Sequence, residues 1–187
     1  MNIYEIDFTN YNLNEAFFEL LDTNKIYWHD ESDPDQICLN SVKDKTHDIH
    51  YGRGSLFLDW DNSYNENGKL VVPPRKQPLK EEDFSELCDV FVGTVFEKLY
   101  KELQTKYKIG RVRFMYSNPK TCLTWHIDNT PRVHFPIKTQ EGCFMIIENE
   151  IKHLEVGKCY YTNTLKKHTA MNASTENRIH LVATVLS

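Results

Sequence analysis

Residues 14–21, NEAFFELL, place Ala16, Phe17, Leu20 and Leu21 at the spacing of one helical face and predict a short helix. Beyond it the period changes. QICLNSV, SLFLDW and KLVVP are short apolar runs separated by Asp, Asn and Gly clusters, so residues 25–72 read as the strands and turns of a β-rich arm or lid. DNSYNENGK, residues 61–69, is polar and contains glycine, the texture of an exposed loop. Phe84, Leu87, Cys88, Phe91, Val95, Leu99 and Leu103 then fall three or four apart and predict a long helix over about residues 80–106, with Gly93 as its weak point.

From Ile109 onward the pattern is short alternating or apolar runs: GRVRFMYS, CLTWHID, RVHFPIKT, CFMIIEN, IKHLEV, KCYYTNT, KKHTAMNA and NRIHLVATVL. Turn-forming dipeptides separate them. Eight such strands predict a mainly β protein with flanking helices, built on a double-stranded β-helix, the cupin-like jelly roll in which two antiparallel sheets wrap a pocket. A chain of 187 residues suits one domain, 1–187, with an N-terminal α/β arm and supporting helix over 1–108 and the jelly-roll core over 109–187.

Composition narrows the function classes. The chain is 40% hydrophobic and 26% charged, and no apolar run approaches the length that crosses a bilayer. MNIYEIDFTN carries acids and no basic segment, so no secretory signal is read and a cytoplasmic location is expected. Five cysteines without a C-x-x-C pair argue against a disulfide framework or a thiolate zinc knuckle and read as buried thiols. A net charge of -5 and a pI near 5.9 exclude a broad basic nucleic-acid surface, and PPRKQPLK, the local basic cluster, reads as a solvated linker. Neither a nucleic-acid nor a membrane partner is expected, and the oligomeric state is not legible.

The chemistry concentrates in TWHIDNTPRVHFPI, residues 124–137. Side chains two apart in a strand share a face, so His126 and Asp128 can point together into a pocket as two ligands of a metal. By itself such a pair is more often an ordinary surface or hydrogen-bonded pair. A third ligand would be a histidine on a distant strand, and His168 is the choice from context: it opens the seventh run, and Arg178 follows at the start of the eighth. In an antiparallel pair joined by a turn those two positions lie close together. Two His and one carboxylate on one face of an ion leave three open positions, the arrangement of non-haem Fe(II) oxygenases, suited to a bidentate 2-oxo acid and O2. The remote carboxylate of 2-oxoglutarate then needs a cation deeper in the pocket, which Arg178 can supply through two parallel hydrogen bonds.

Arg132 and His134 share a face and read equally as a second polar contact for the 2-oxo acid or as a surface ion pair and a core histidine. His180 shares the face of Arg178 and ranks below His168 as a ligand, because it would sit where the co-substrate tail belongs. HDIH, residues 47–50, reads as a loop with a substrate contact open to it, while His29 and His153 have no evident chemical partner.

NPKTCLTWHID, RVHFPI and HTAMNASTENRIHLV together resemble the Fe(II)/2-oxoglutarate-dependent dioxygenases, and within them the aspartyl/asparaginyl β-hydroxylase family with its related proline hydroxylases. The resemblance spans about residues 109–187. It implies metal ligation by His126, Asp128 and His168, and 2-oxoglutarate contacts from Arg178 assisted by Arg132 and His134. The animal aspartyl hydroxylases have glycine at the carboxylate position, so retention of Asp128 resembles microbial members and argues against a halogenase. The implied reaction is hydroxylation of an unactivated C–H bond of an amino acid, free or within a polypeptide, using Fe(II), 2-oxoglutarate and O2 and releasing succinate and CO2. Two rivals stay open: a cupin-like sensor that binds metal and ligand without turnover, and a zinc hydrolase using the same ligands.

Overall fold

The computed structural model describes residues 1–31, 35–58, 67, 69 and 71–186. Twelve strands and two α-helices organise them. The strands are β1 (Ile3–Glu5), β2 (Gln36–Cys38), β3 (Asn40–Ser41), β4 (Glu86–Leu87), β5 (Ile109–Ser117), β6 (Thr121–Cys122), β7 (Arg132–Lys138), β8 (Cys143–Ile147), β9 (Glu150–Lys152), β10 (Tyr160–Thr162), β11 (His168–Asn172) and β12 (Arg178–Val185); the helices are α1 (Leu13–Asp22) and α2 (Val95–Lys106). A six-stranded sheet runs β1-β10-β7-β12-β5-β2 and a four-stranded sheet runs β6-β11-β8-β9, with every neighbour antiparallel. The protein is mostly β with a jelly-roll core.

The period-two alternation of the long strands explains where the core and the pocket lie. On β12, Ile179, Leu181, Ala183 and Val185 face a hydrophobic core shared with the helices, while Arg178, His180, Val182 and Thr184 face the other way. β7 repeats this, with Val133, Phe135 and Ile137 toward the helices and Arg132 and His134 opposite. Phe114 of β5 ties the layers together through ring contacts to Phe17 at 4.6 Å, Phe96 at 5.3 Å and Phe91 at 5.9 Å. A smaller apolar cluster, Ile3, Met145, Ile147, Leu154 and Tyr160, fills one end of the space between the sheets. One face of the large sheet is thus sealed by helices, and its polar face looks toward the four-stranded sheet.

Three expectations change. The long helix over about 80–106 is divided: 3-10 turns occupy Glu81–Asp83 and Asp89–Phe91, β4 pairs with β3, and the α-helix starts only at Val95. Gly93 takes φ +79 and Thr94 caps the helix by accepting from Phe96 N–H at 3.2 Å. Phe84, Cys88 and Phe91 are fully buried, so the apolar spacing was real but is satisfied by turns. Within the 25–72 arm, β2 pairs with β5 of the main sheet. SLFLDW contributes among its described residues one isolated bridge, Leu58 to Pro74 just past KLVVP, and most of the 61–69 loop lies outside the described residues. Finally, Cys122 is exposed on the short β6, whereas the other four cysteines are buried as expected. No helix among the described residues is long and apolar enough to cross a membrane.

Candidate metal centre and anion pocket

CLTWHID does not form one strand. After β6 the chain leaves regular pairing and returns as an isolated bridge between His126 and His168, closed by His126 N–H to His168 O at 3.1 Å and His168 N–H to His126 O at 2.9 Å. Asp128 N–H then bonds Thr164 O at 2.9 Å, which fixes the carboxylate two residues beyond the first imidazole. One ligand-type atom from each of His126, Asp128 and His168 lies within 4.8 Å of the other two, a grouping that among the described residues recurs nowhere else.

The hydrogen bonds behind these side chains decide what they offer. His126 Nδ1 lies 2.7 Å from Thr124 O and His168 Nδ1 lies 2.9 Å from Lys166 O. A carbonyl only accepts, so each Nδ1 carries the proton and each neutral ring turns an Nε2 lone pair outward. Those Nε2 atoms face Asp128 at 4.0 Å and 3.8 Å, too long for hydrogen bonds. Three electron-pair donors without a proton between them leave room for a cation, and orientation by backbone carbonyls is how metal-binding histidines are held. His168 is 3% exposed, and its burial lowers its pKa, which favours the neutral ligand form. Arg132 Nη2 ion-pairs with Asp128 at 3.1 Å and so supports the carboxylate from behind.

Next to this trio lies a cavity of about 300 Å³ between the two sheets. Arg113, Arg132 and Arg178 line it with one carboxylate, Asp128, alongside His134 and His180 from the large sheet and Met145 and Ala170 from the small one. Both ring nitrogens of His134, His180 Nε2, Arg178 Nε and Arg113 Nε are buried with no partner among the described residues. Such a row of unmet polar atoms is rare in a finished core and marks a place where a polar ligand completes the bonding. The excess of guanidinium over carboxylate makes that ligand an anion. The donor set therefore fits both a divalent metal and a small dicarboxylate.

Arg178 is brought to the cavity by a different route from the one its spacing predicts. β11 and β12 belong to opposite sheets, so His168 and Arg178 face each other across the sandwich instead of lying side by side in one sheet. His180 stands beside His134, ring centroids 5.7 Å apart, outside the three-residue group. His153 donates from Nδ1 to Cys143 O at 2.8 Å and does not line the cavity. His29 is not without a partner: its Nε2 is 3.3 Å from Arg53 Nη2 and its ring 5.4 Å from that of His50. Sequence reasoning missed Arg113, whose signal is the same alternation: in GRVRFMYS it shares a face with Met115 while Val112 and Phe114 enter the core. A second cavity of about 630 Å³ shares Asp128 and Arg132 with the first and extends past Phe57 and Ile127.

The buried imidazoles set a pH dependence. Burial, reinforced by Arg178, Arg132 and His168, pushes His134 down to about 3, and burial, with Arg178 and His134, holds His180 well below its ordinary value. Unfolded chains protonate these rings near pH 6.5, the folded protein only near pH 3 for His134. Between those limits the unfolded state binds more protons, so stability falls as pH drops, by up to about 1.4 kcal/mol per pH unit for each ring. Denaturant titrations of the metal-free protein at pH 7 and pH 5 should show this loss, and His134→Gln should make it shallower. An unchanged slope in the variant contradicts a buried neutral ring.

A family model described as Aspartyl/Asparaginyl beta-hydroxylase matches residues 40–187. Among solved structures the chain is similar to AerE from Microcystis aeruginosa, at 19% identity and TM-score 0.36 over 41% of this chain and 36% of that one. It is similar to an oxidoreductase of the 2OG-Fe(II) oxygenase family from Burkholderia pseudomallei, at 13% identity and TM-score 0.39 over 50% and 53%. The viral collagen prolyl hydroxylase vCPH from Paramecium Bursaria Chlorella virus-1 is similar at 11% identity and TM-score 0.41, over 55% of this chain and 75% of that one. The chain thus spans about a third of AerE and about half of the Burkholderia protein. No curated protein matches.

Proposed function

The chain belongs to the aspartyl/asparaginyl β-hydroxylase family, and from that premise we propose that it is a non-haem Fe(II)/2-oxoglutarate-dependent oxygenase acting on an amino acid, free or within a polypeptide. The observation that carries the reading is the His126, Asp128 and His168 trio, with both Nε2 lone pairs turned outward beside an arginine-lined cavity. When bound, Fe(II) with 2-oxoglutarate supplies the chemistry that inserts an oxygen atom from O2 into an unactivated C–H bond, with succinate and CO2 as co-products.

The chain's own residues do the rest. His126 and His168 would hold the metal through Nε2 and Asp128 through its carboxylate, a two-histidine, one-carboxylate set suited to Fe(II). Arg178, the first residue of β12 and 9% exposed, would take the remote carboxylate of 2-oxoglutarate as a charge-assisted pair. Arg132 keeps Asp128 oriented, and neutral His134 offers a ring N–H to a carboxylate oxygen without adding charge. Met145, Ala170 and Val182 wall the cavity with apolar surface, which limits water near the reacting atoms.

Succinate release tests the reading directly. Purified protein with Fe(II), ascorbate and 2-oxoglutarate should form succinate, faster in the presence of a pooled amino-acid and peptide library, and mass spectrometry should find one library member heavier by one oxygen. Zn(II) should not support the reaction. Metal binding without any turnover of 2-oxoglutarate would instead make the protein a ligand-binding sensor, and Zn(II)-supported hydrolysis would make it a hydrolase.

A further inference from the structure

Trp125 and Ile127 flank His126 and stand 48% and 64% exposed. They alternate with the side chains that turn into the sandwich, so they lie on its outer face. The backbone alternates as well. His126 N–H and C=O both bond His168, and Asp128 N–H bonds Thr164 O, while among the described residues the N–H and C=O groups of Trp125 and Ile127 have no hydrogen-bond partner. The stretch continues from β6, the edge strand of the four-stranded sheet, so these groups face away from β11. An open edge that also carries apolar side chains is a site where another chain can add a strand.

Across from this edge stands a second apolar wall. The cavity of about 630 Å³ separates Ile127 from Phe57, Pro78 and Leu79, and Phe57 is itself 64% exposed. Arg75 N–H to Phe57 O at 2.8 Å and Leu79 N–H to Leu56 O at 3.2 Å fasten PPRKQPLK along that wall. Charge then selects the occupant. Lys166 and Lys167 lead into His168 and are exposed, with Lys167 Nζ 6.0 Å from the centre of the Trp125 ring. Lys76 and Lys80 of PPRKQPLK are exposed too, and none of the four forms a salt bridge among the described residues. The acids on the same segments are Glu82, Asp83, which accepts the Lys80 N–H at 2.8 Å, and Glu148, whose N–H bonds Lys167 O. In a chain of net charge -5, unpaired lysines on both walls are a local reversal. A second copy laid on the edge brings like charges together, whereas an acidic segment brings opposite ones.

We propose that the edge at residues 124–128 binds an acidic, extended segment of a partner polypeptide by strand addition. The segment bonds the outward N–H and C=O groups of Trp125 and Ile127, seats an apolar side chain between Ile127 and Phe57, and sets its carboxylates against Lys76, Lys80, Lys166 and Lys167. This surface lies beside the metal centre but is built from groups that centre does not use, so the inference stands apart from the oxygenase reading.

The test uses the full chain without metal. Probes are short peptides with a core of alternating Val and Thr, ended on both sides by pairs of Glu, Lys or Ser; the Glu-ended peptide N-methylated at its central amides; and a single-stranded oligothymidylate. Fluorescence anisotropy reports affinity, and amide hydrogen exchange followed by NMR reports where binding occurs. The Glu-ended peptide should bind about tenfold or more tightly than the Ser-ended one, and the Lys-ended peptide more weakly than either. Exchange of the Trp125 and Ile127 amides should slow on binding, while that of His126 and Asp128, already bonded, changes little. N-methylation should remove binding, because it takes away the donors of the added strand. K166E/K167E should keep the wild-type thermal midpoint, both lysines being exposed and unpaired, and cancel the preference for acidic ends.

Equal affinity for the three peptides, no binding of any of them, binding that leaves Trp125 and Ile127 exchange unchanged, or undiminished binding of the N-methylated peptide overturns the proposal. So does oligothymidylate binding tighter than that of the Glu-ended peptide and lost in K166E/K167E, which makes the lysines a nucleic-acid surface. Protection of the two amides without peptide, disappearing on dilution, makes the edge a contact between copies and overturns it as well. Every step runs without metal or 2-oxoglutarate, so failure here is distinct from failure of the oxygenase reading.

Discussion

Replacing His168 with alanine abolishes metal-dependent turnover and weakens Fe(II) or Mn(II) binding by more than about a hundredfold, whereas His180→Ala leaves metal affinity nearly unchanged. The contrast follows from position. His168 turns its Nε2 toward Asp128 at 3.8 Å with its Nδ1 tied to Lys166 O, while His180 pairs edge-on with His134 and lies outside the group of ligand atoms. Removing one of three protein ligands leaves two, too few to hold a labile divalent ion at micromolar concentration. Asp128→Ala should act in the same direction and also release Arg132 from its ion pair at 3.1 Å. Mn(II) binding followed by electron paramagnetic resonance measures all three variants without reference to activity. Wild-type affinity in His168→Ala, or its loss in His180→Ala, would move the centre to a different histidine.

The second large effect belongs to Arg178. Truncation to alanine raises the dissociation constant for 2-oxoglutarate by roughly thirtyfold to a few thousandfold, because removing one partner of a buried charge pair costs about 2–5 kcal/mol. Metal affinity stays within about twofold, since the guanidinium carries no ligand atom. Arg178→Lys should recover only part of the loss, a point charge replacing a planar fork. Calorimetric titration of 2-oxoglutarate into Mn(II)-loaded protein separates these outcomes. If Arg178→Ala binds the co-substrate normally while R113Q does not, the remote carboxylate lies on Arg113.

Much of this was legible because β12 and β7 keep strict alternation. RIHLVATV and RVHFPIK show a polar row and an apolar row, and the structure turns the apolar row to the helices and the polar row to the cavity. The same regularity put His180 on the face of Arg178 and Arg132 on the face of His134. The errors came where pattern and pairing part company. Phe84, Leu87, Cys88 and Phe91 have helical spacing, but Gly93 at φ +79 and the Thr94 cap start the helix later, and burial is reached through turns and the β3-β4 pair. His168 and Arg178 are near in sequence and lie in opposite sheets, a sandwich relation that strand spacing alone does not encode. Arg113 carries no motif, and its place on the cavity wall shows only once β5 is seen to alternate; with Glu81 engaging Arg111 and Asp128 engaging Arg132, Arg113 and Arg178 are the cavity guanidiniums without an ion pair among the described residues.

The account stands most directly on where a metal and a dicarboxylate bind. Crystals grown with Mn(II) and 2-oxoglutarate, examined by anomalous scattering, should show one strong metal peak about 2.0–2.3 Å from His126 Nε2, His168 Nε2 and an oxygen of Asp128, with the remote carboxylate of 2-oxoglutarate on Arg178. A metal held by His134 and His180, or 2-oxoglutarate bound outside the cavity between the sheets, would contradict it.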